Sequence, residues 1–263
     1  MTMQRRLAGD LPYYTFESFP NGRLVHAVFG RHGGVSPAPF NSLNMSVTVG
    51  DSLDNVRENR RRALRAVNLP EDDFADTWLV HGTRTLVATT NRHVKTTPPE
   101  QADALVTNVS GVNLFMRYAD CVPIFLYDPV QHAIGLAHSG WRGTVNGSTQ
   151  SAVQTMVSAF GSRPADILAG IGPSISVARY AVGAEVVQAA RAAFPQHPEV
   201  IVETDGQPHF DLWAANRIAL EQVGVRQIEL SGWCTATHTD HFFSHRGDRG
   251  QSGRFGAVIA LRP

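Results

Sequence analysis

Cysteine is nearly missing from the chain: two residues, Cys121 and Cys234, in 263. A disulfide-stapled secreted domain normally carries more, and a chain of this length buries enough core to stand without staples, so a reduced, cytoplasmic setting is expected. Charge imbalance is missing too. With 23 basic and 23 acidic residues the formal net charge is zero, which removes any global field that would recruit nucleic acid or an anionic membrane and confines anion recognition to local clusters. No segment approaches the roughly 18 consecutive apolar residues of a spanning helix, and the arginine pair in "MTMQRRLAGDLPYYTF" has no apolar stretch behind it. Neither a membrane span nor a secretory leader is expected. Solenoid repeats and low-complexity tracts are likewise absent. What is present is a 43% hydrophobic composition, and the expectation is a single domain over residues 1–263, with a monomer favoured.

Hydrophobic periodicity divides the chain. "RLVHAVFG" reads as a strand that runs into "RHGGVSPAPFNSLN", a long irregular segment of the kind that carries function. "DSLDNVRENRRRALRAVNL" reads as a helix, capped by Asp51 or Ser52, with Val56, Ala63, Leu64 and Val67 at helical spacing. Arg57, Arg60, Arg61, Arg62 and Arg65 are expected to line its solvated face, since Glu58 and the neutral total argue against a nucleic-acid surface. "TWLVHGTRTLVATT", "ADALVTN", "VNLFMRY", "VPIFLYD" and "AIGLAH" are short runs rich in β-branched and aromatic residues, hence strands. "NRHVKTTPPEQ" reads as an exposed loop. Helical patterns follow in "GSTQSAVQTMVSAFG", "GAEVVQAARAAF" and "DLWAANRIALEQVGV", and "FGAVIAL" closes the chain as a strand. Without strict alternation of strand and helix, the expected class is α+β, with mixed β-sheets flanked by helices.

One stretch concentrates chemistry. In "ADCVPIFLYDPVQHAIGLAHSGWRG", Pro129 and Val130 fall midway between Cys121 and His138, so a two-residue loop pairs Asp128 with Gln131 and sets Cys121 opposite His138. Opposed residues have Cβ atoms about 4.5–5.5 Å apart, which suits a thiolate and an imidazole converging on zinc. Proline is incompatible with a type I′ turn, however, and a wider loop shifts the register. A buried cysteine and a histidine bonded to a carbonyl is the plainer reading of the pair. A third candidate ligand is His81 in "WLVHGTRTL", before Gly82; one cysteine and two histidines leave a tetrahedral site open, as in catalytic zinc. Directly after His138, "SGWRGTVNGSTQSAVQTMV" runs from strand through a glycine-containing turn into helix, a candidate anion cradle with Arg142 beside it.

The motifs "RHGGVS", "SLN", "VGD", "VHG", "ADALVTN", "ADCVPIFLYDP", "AHSGWRG", "GPSIS", "YAVG" and "FFSHRGDRGQSGRFGAVIAL" stand in the order found in the YfiH-like family. That family is variously called multicopper polyphenol oxidoreductase, laccase-domain protein, peptidoglycan editing factor and purine nucleoside phosphorylase, and the chain resembles it from Arg31 to Leu261. The resemblance implies that His81, Cys121 and His138 bind zinc at the active site. It also implies phosphorolysis of adenosine, inosine and guanosine, with adenosine deamination and methylthioadenosine phosphorolysis attached to the same family. Leu79 stands where the family usually has Gln before "VHG", and Ser139 where it has Ala, departures that bear on substrate placement rather than on the metal ligands.

The family's names imply different chemistries. A four-copper oxidase draws on many histidines, usually with His-X-His pairs, and none of the eleven histidines forms one; copper at a single Cys-His-His site remains the alternative to zinc. Phosphorolysis needs phosphate held by fixed cations, for which Arg31, Arg142, Arg246 and Arg254 are candidates. Deamination needs an activated water, which an open zinc site provides. Asn44 in "SLN" either orients substrate or builds a turn. Cys234 is expected to pack in the core and His238 and His241 to lie at the surface, while the loop carrying His245 and Arg246 reads as a lid or as a plain hairpin loop. A different class uses Cys121 as nucleophile and His138 as its base, in a hydrolase acting on peptidoglycan precursors. A blander one is a non-catalytic metal-binding protein.

Overall fold

The apolar runs of the sequence become strands covered on both faces. The computed structural model describes residues 3–20, 22–91 and 100–262, so most of the loop expected over "NRHVKTTPPEQ" lies outside the described residues. In chain order the elements are β1 (Gln4–Ala8), β2 (Leu11–Thr15), β3 (Leu24–Phe29), α1 (Leu53–Ala66), β4 (Thr85–Val87), β5 (Ala104–Thr107), β6 (Asn113–Tyr118), β7 (Val122–Asp128) and β8 (Ala133–Ser139). There follow α2 (Trp141–Asn146), α3 (Ser148–Phe160), β9 (Leu168–Ile171), α4 (Ala184–Ala193), β10 (Ile201–Thr204), β11 (Gln207–Phe210), α5 (Leu212–Gln222), β12 (Gln227–Leu230) and β13 (Phe255–Leu261).

Five strands form an antiparallel sheet in the order β1-β2-β3-β13-β6, and six form a mixed sheet in the order β12-β9-β7-β8-β5-β4. The sheets pack face to face. Phe255, Ala257 and Ile259 of β13 share one buried cluster with Phe125 of β7 and Ile134 and Leu136 of β8. Successive residues of a strand point to opposite faces, so Val122, Ile124 and Leu126 of β7 turn the other way, onto Ala152, Val153 and Met156 of α3 and Leu212 and Ala215 of α5. On the far side, Val258 and Ala260 of β13 pack with Ala63 and Leu64 of α1. The layers run helix, sheet, sheet, helices. This is the expected α+β class, and burial on both faces is why β7 and β13 read as continuous apolar runs rather than as alternation. No helix among the described residues is long and apolar enough to cross a membrane.

Two expectations need correction. The β7–β8 hairpin does not close on two residues: Asp128 pairs with Ala133, residues 129–132 form a four-residue loop, and Pro123 rather than Cys121 lies opposite His138. Proline cannot take the positive φ of a type I′ turn, and the Asp128 carboxylate instead accepts hydrogen bonds from the N–H groups of Val130 (2.8 Å) and Gln131 (3.0 Å), which builds the wider loop. The register moves by two residues, an even number, so Cys121 and His138 keep a common side of the sheet. The second correction concerns α1. Arg57, Arg61, Arg62 and Arg65 do face solvent beside Asp54, Asp72, Glu58 and Glu71, but Arg60 shares the buried stripe of Val56, Ala63 and Leu64. Its Nε and Nη2 donate to the Met45 carbonyl at 3.0 and 2.8 Å, and its guanidinium lies over the Phe74 and Phe115 rings. Burial, with Arg117 nearby, lowers its pKa to about 9.

Candidate metal centre

Cys121 sits where the chain crosses from one sheet to the other, between the end of β6 and the start of β7. His138 is the penultimate residue of β8, and His81 lies in the loop before β4. Their ligand atoms all fall within 4.8 Å of one another, the one such cluster of three or more His, Cys, Asp or Glu side chains among the described residues. Exposure grades across the cluster: His138 is buried, Cys121 is half-buried and His81 is exposed, so the cluster opens on the His81 side.

Asp103 organises two of the three. The β5–β8 ladder pairs Ala104 with Ala137, which sets Asp103 directly opposite His138. The His138 backbone N–H donates to the Asp103 carbonyl (2.7 Å), and His138 Nδ1 lies 3.0 Å from Asp103 Oδ1. Burial alone would raise the Asp103 pKa, but the hydrogen bonds from His138 and from backbone amides bring it below its ordinary value. An ionised carboxylate only accepts, so Nδ1 carries a proton and Nε2 is left for the cluster, where a metal would displace the proton that the neighbouring thiolate favours on it, as in a carboxylate–histidine–metal arrangement. The same carboxylate accepts the N–H groups of Val80, His81 and Gly82 at 3.2, 3.0 and 2.7 Å. These bonds hold His81 at φ 57, a left-handed backbone that costs a non-glycine residue about 1 kcal/mol or more. Sequence reading missed Asp103, since its partner is 35 residues away and only the strand register brings them together.

The electrostatics suit a metal ligand set. Burial raises the Cys121 pKa, but the positive charge and hydrogen bonding of His138 and His81 more than reverse this, to about 6. Burial lowers the His138 pKa, and the Cys121 thiolate with the Asp103 carboxylate raises it, to about 9. A cysteine is thus poised as thiolate, the form that binds metal. Gly140 completes the cradle. A Cβ there would lie 2.8 Å from Cys121 Sγ and 3.0 Å from His81 Nδ1, so its missing side chain is the space beside two ligand atoms. At φ −75 and ψ 178 its backbone is open to any residue. Gly140→Ala is therefore expected to cost little in folding and to weaken metal binding at the cluster, measured by elemental analysis of metal-loaded protein beside a thermal melt.

The remaining candidates divide. Asn44 is fully buried, and its amide is consumed within the protein: Nδ2 donates to Ser46 O and Asp51 Oδ2, and Oδ1 accepts from the N–H groups of Ser46 and Arg254. That is the turn role. Arg31 donates to Thr239 O and Asn41 O with its guanidinium over Phe243, and Arg254 donates to Ser252 O and Gly253 O. Arg142 is more than half exposed, 3.7 Å from Glu185 and stacked on Trp141. The exposed Arg246 side chain donates to Ala181 O and lies over the Tyr180 ring. Burial raises the Tyr180 pKa, with the charges of Cys121 and Asp120 adding to the rise and those of Arg246 and Arg142 opposing it. Tyr180 and Asp120 carried no functional reading in the sequence. Ser139 turns away from the cluster to bond Thr144 and Ser148 at the start of the α2–α3 layer. Cys234 is buried, its sulfur accepting the Ser176 N–H, as packing requires. His238 and His241 are only partly exposed and pack on Trp233.

Fold and centre together define an α+β protein of two packed sheets and a small β10-β11 sheet, with a Cys-His-His cluster at the crossing between the packed sheets. The family described as multi-copper polyphenol oxidoreductase laccase matches residues 25–262, and the chain belongs to it. Purine nucleoside phosphorylase of Deinococcus radiodurans is 41% identical over 92% of this chain and 91% of its own length. Purine nucleoside phosphorylase YfiH of Escherichia coli is 35% identical over 88% and 91%. The crystal structure of YlmD from Geobacillus stearothermophilus superposes with a TM-score of 0.93 at 35% identity, covering 99% of each chain.

Proposed function

We propose that this chain is a zinc-dependent purine nucleoside phosphorylase acting on adenosine, inosine and guanosine, working in the cytoplasm as one domain over residues 1–263, with no nucleic acid or membrane partner. The observation that carries the reading is the half-open cluster of His81, Cys121 and His138, with Arg142 two residues beyond Gly140 in its cradle and the Arg246 backbone bonded to Asp120 beside Cys121; the names of the relatives agree with it. His81, Cys121 and His138 would hold the ion, and a zinc ion there would supply Lewis acidity at an open position. Everything else falls to the protein. Arg142 and Arg246 hold phosphate against the sugar, an oxygen of hydrogen phosphate bonds to the anomeric carbon as the bond to the purine breaks, and the purine leaves with the phosphate's proton on its nitrogen, passed directly or through water. The products are ribose 1-phosphate and free base. Adenosine deamination and methylthioadenosine phosphorolysis are further activities that the same open centre supports.

A four-copper oxidase finds no support, since the described residues hold one metal-competent cluster. Incubating the zinc-loaded protein with adenosine, with and without phosphate, tests the proposal: ribose 1-phosphate and adenine formed only with phosphate support it, inosine shows deamination, and no turnover overturns it. Arg142→Ala is expected to retain zinc and to raise the KM for phosphate about tenfold, the loss of one charge-assisted contact; an unchanged KM would move the anion site elsewhere.

A further inference from the structure

Asp120 lies between the end of β6 and Cys121, at φ 86, in a left-handed conformation that aspartate and asparagine tolerate better than other non-glycine residues. Its carboxylate is only slightly exposed and is spent on two segments that are remote in sequence, one at Thr235 and one at Ser244 and Arg246. Oδ1 accepts the hydroxyls of Thr235 (2.7 Å) and Ser244 (2.6 Å), and Oδ2 accepts the Arg246 N–H (2.7 Å). The Ser244 hydroxyl oxygen in turn accepts the Gly247 N–H at 2.8 Å. From Arg246 the chain of contacts reaches Tyr180: the guanidinium lies 5.2 Å from the centre of its ring, and Nη1 donates to Ala181 O at 3.0 Å. The Asp120 carbonyl accepts the Ile175 N–H at 3.0 Å, tying in the segment that leads to Tyr180. One residue next to a metal ligand thus fixes both ends of the wall formed by Arg246 and Tyr180.

We infer that Asp120 is a positioning residue that tethers the Arg246 loop to the Cys121 backbone and thereby sets Arg246 to bind the anionic co-substrate, inorganic phosphate. The identity of that ligand rests on the phosphorolysis reading; the tether rests on the hydrogen bonds alone. Loss of the tether frees the Arg246 amide and lets the guanidinium wander, while His81 and His138 keep their bonds to Asp103.

Asp120→Ala is expected to keep zinc at wild-type stoichiometry, to raise the KM for phosphate about tenfold and to change kcat less than about threefold. In hydrogen exchange of the zinc-loaded protein the Arg246 amide exchanges faster. Asp120→Asn, which keeps an acceptor for that N–H and suits the left-handed backbone, restores KM to within about threefold of wild type. Alanine at a left-handed position carries its own backbone cost, so Ser244→Ala provides a second variant with residue 120 untouched, expected to move KM and exchange the same way by less. Zinc loss in folded Asp120→Ala, or a phosphate KM unchanged in both alanine variants, overturns the assignment. If the wild-type protein shows no phosphate-dependent turnover, phosphorolysis fails, and the tether is decided by exchange: unchanged protection of the Arg246 amide sinks it, and faster exchange sustains it.

Discussion

Cys121→Ala and His138→Ala proteins are expected to be folded, to hold no stoichiometric zinc and to lose phosphate-dependent turnover. Each removes one of only three ligand side chains, so the loss should exceed the ~10–100-fold that removing an outer partner of a metal site costs. Cys121 contributes little packing at the half-exposed crossing, and its alanine variant should melt near the wild-type temperature. His138 is buried, packs at a tilt against Tyr118 at 5.6 Å between ring centres and bonds Asp103, so its variant should melt a few degrees lower. Elemental analysis, calorimetry and a product assay separate these effects. Full activity in either variant would refute the site assignment. The same proteins discriminate the thiol hydrolase: activity that survives in metal-free wild-type protein and disappears on alkylation of Cys121 would favour a nucleophilic cysteine over a zinc ligand.

How much of this was legible in the sequence depends on how far each feature reaches along the chain. Strands buried on both faces, such as β7, β8 and β13, announce themselves as apolar runs, and α1, α3, α4 and α5 were read from periodicity and glycine punctuation. The four-residue strands β9 and β12 were passed over, because their parallel pairing from Leu168 to Gln227 is defined by contact, not by local pattern. The β10–β11 hairpin was missed although Asp205-Gly206, both at positive φ, is a strong turn signal. Arg60 departs from the solvated face expected of its charge because its position puts it on the buried stripe. In the metal centre, the Cys121–His138 spacing was suggestive for a register the structure does not adopt; the pair survived the error because an even slip preserves facing. Asp103 and Asp120 carry no local mark at all. Their partners lie 35 and 126 residues away at His138 and Arg246, and only a sheet register or a loop return brings them together.

Asp103→Asn is expected to be nearly as damaging as Asp103→Ala, which separates an acceptor requirement from a size requirement. Both oxygens of Asp103 are committed as acceptors: Oδ1 to the His81 N–H and His138 Nδ1–H, Oδ2 to the N–H groups of Val80 and Gly82. An asparagine amide replaces one of those oxygens with a donor, so whichever way it turns, an NH2 group meets two N–H groups and at least two bonds are lost. Leaving a buried donor unpaired costs about 1–3 kcal/mol before relaxation, in full for His138 and less for the part-buried loop amides. The His81 loop, held at positive φ by these bonds, should relax towards ordinary backbone, and His138 should lose the partner that fixes its Nε2 as the ligand nitrogen. Zinc affinity is expected to fall by ~10–100-fold, measured by competition with a chelating dye, and the melting temperature should drop in both variants. Excess zinc should restore turnover to the Asn variant, because the three ligands are still present. An unchanged zinc affinity with restored wild-type stability would show that Asp103 merely fills space beneath the loop.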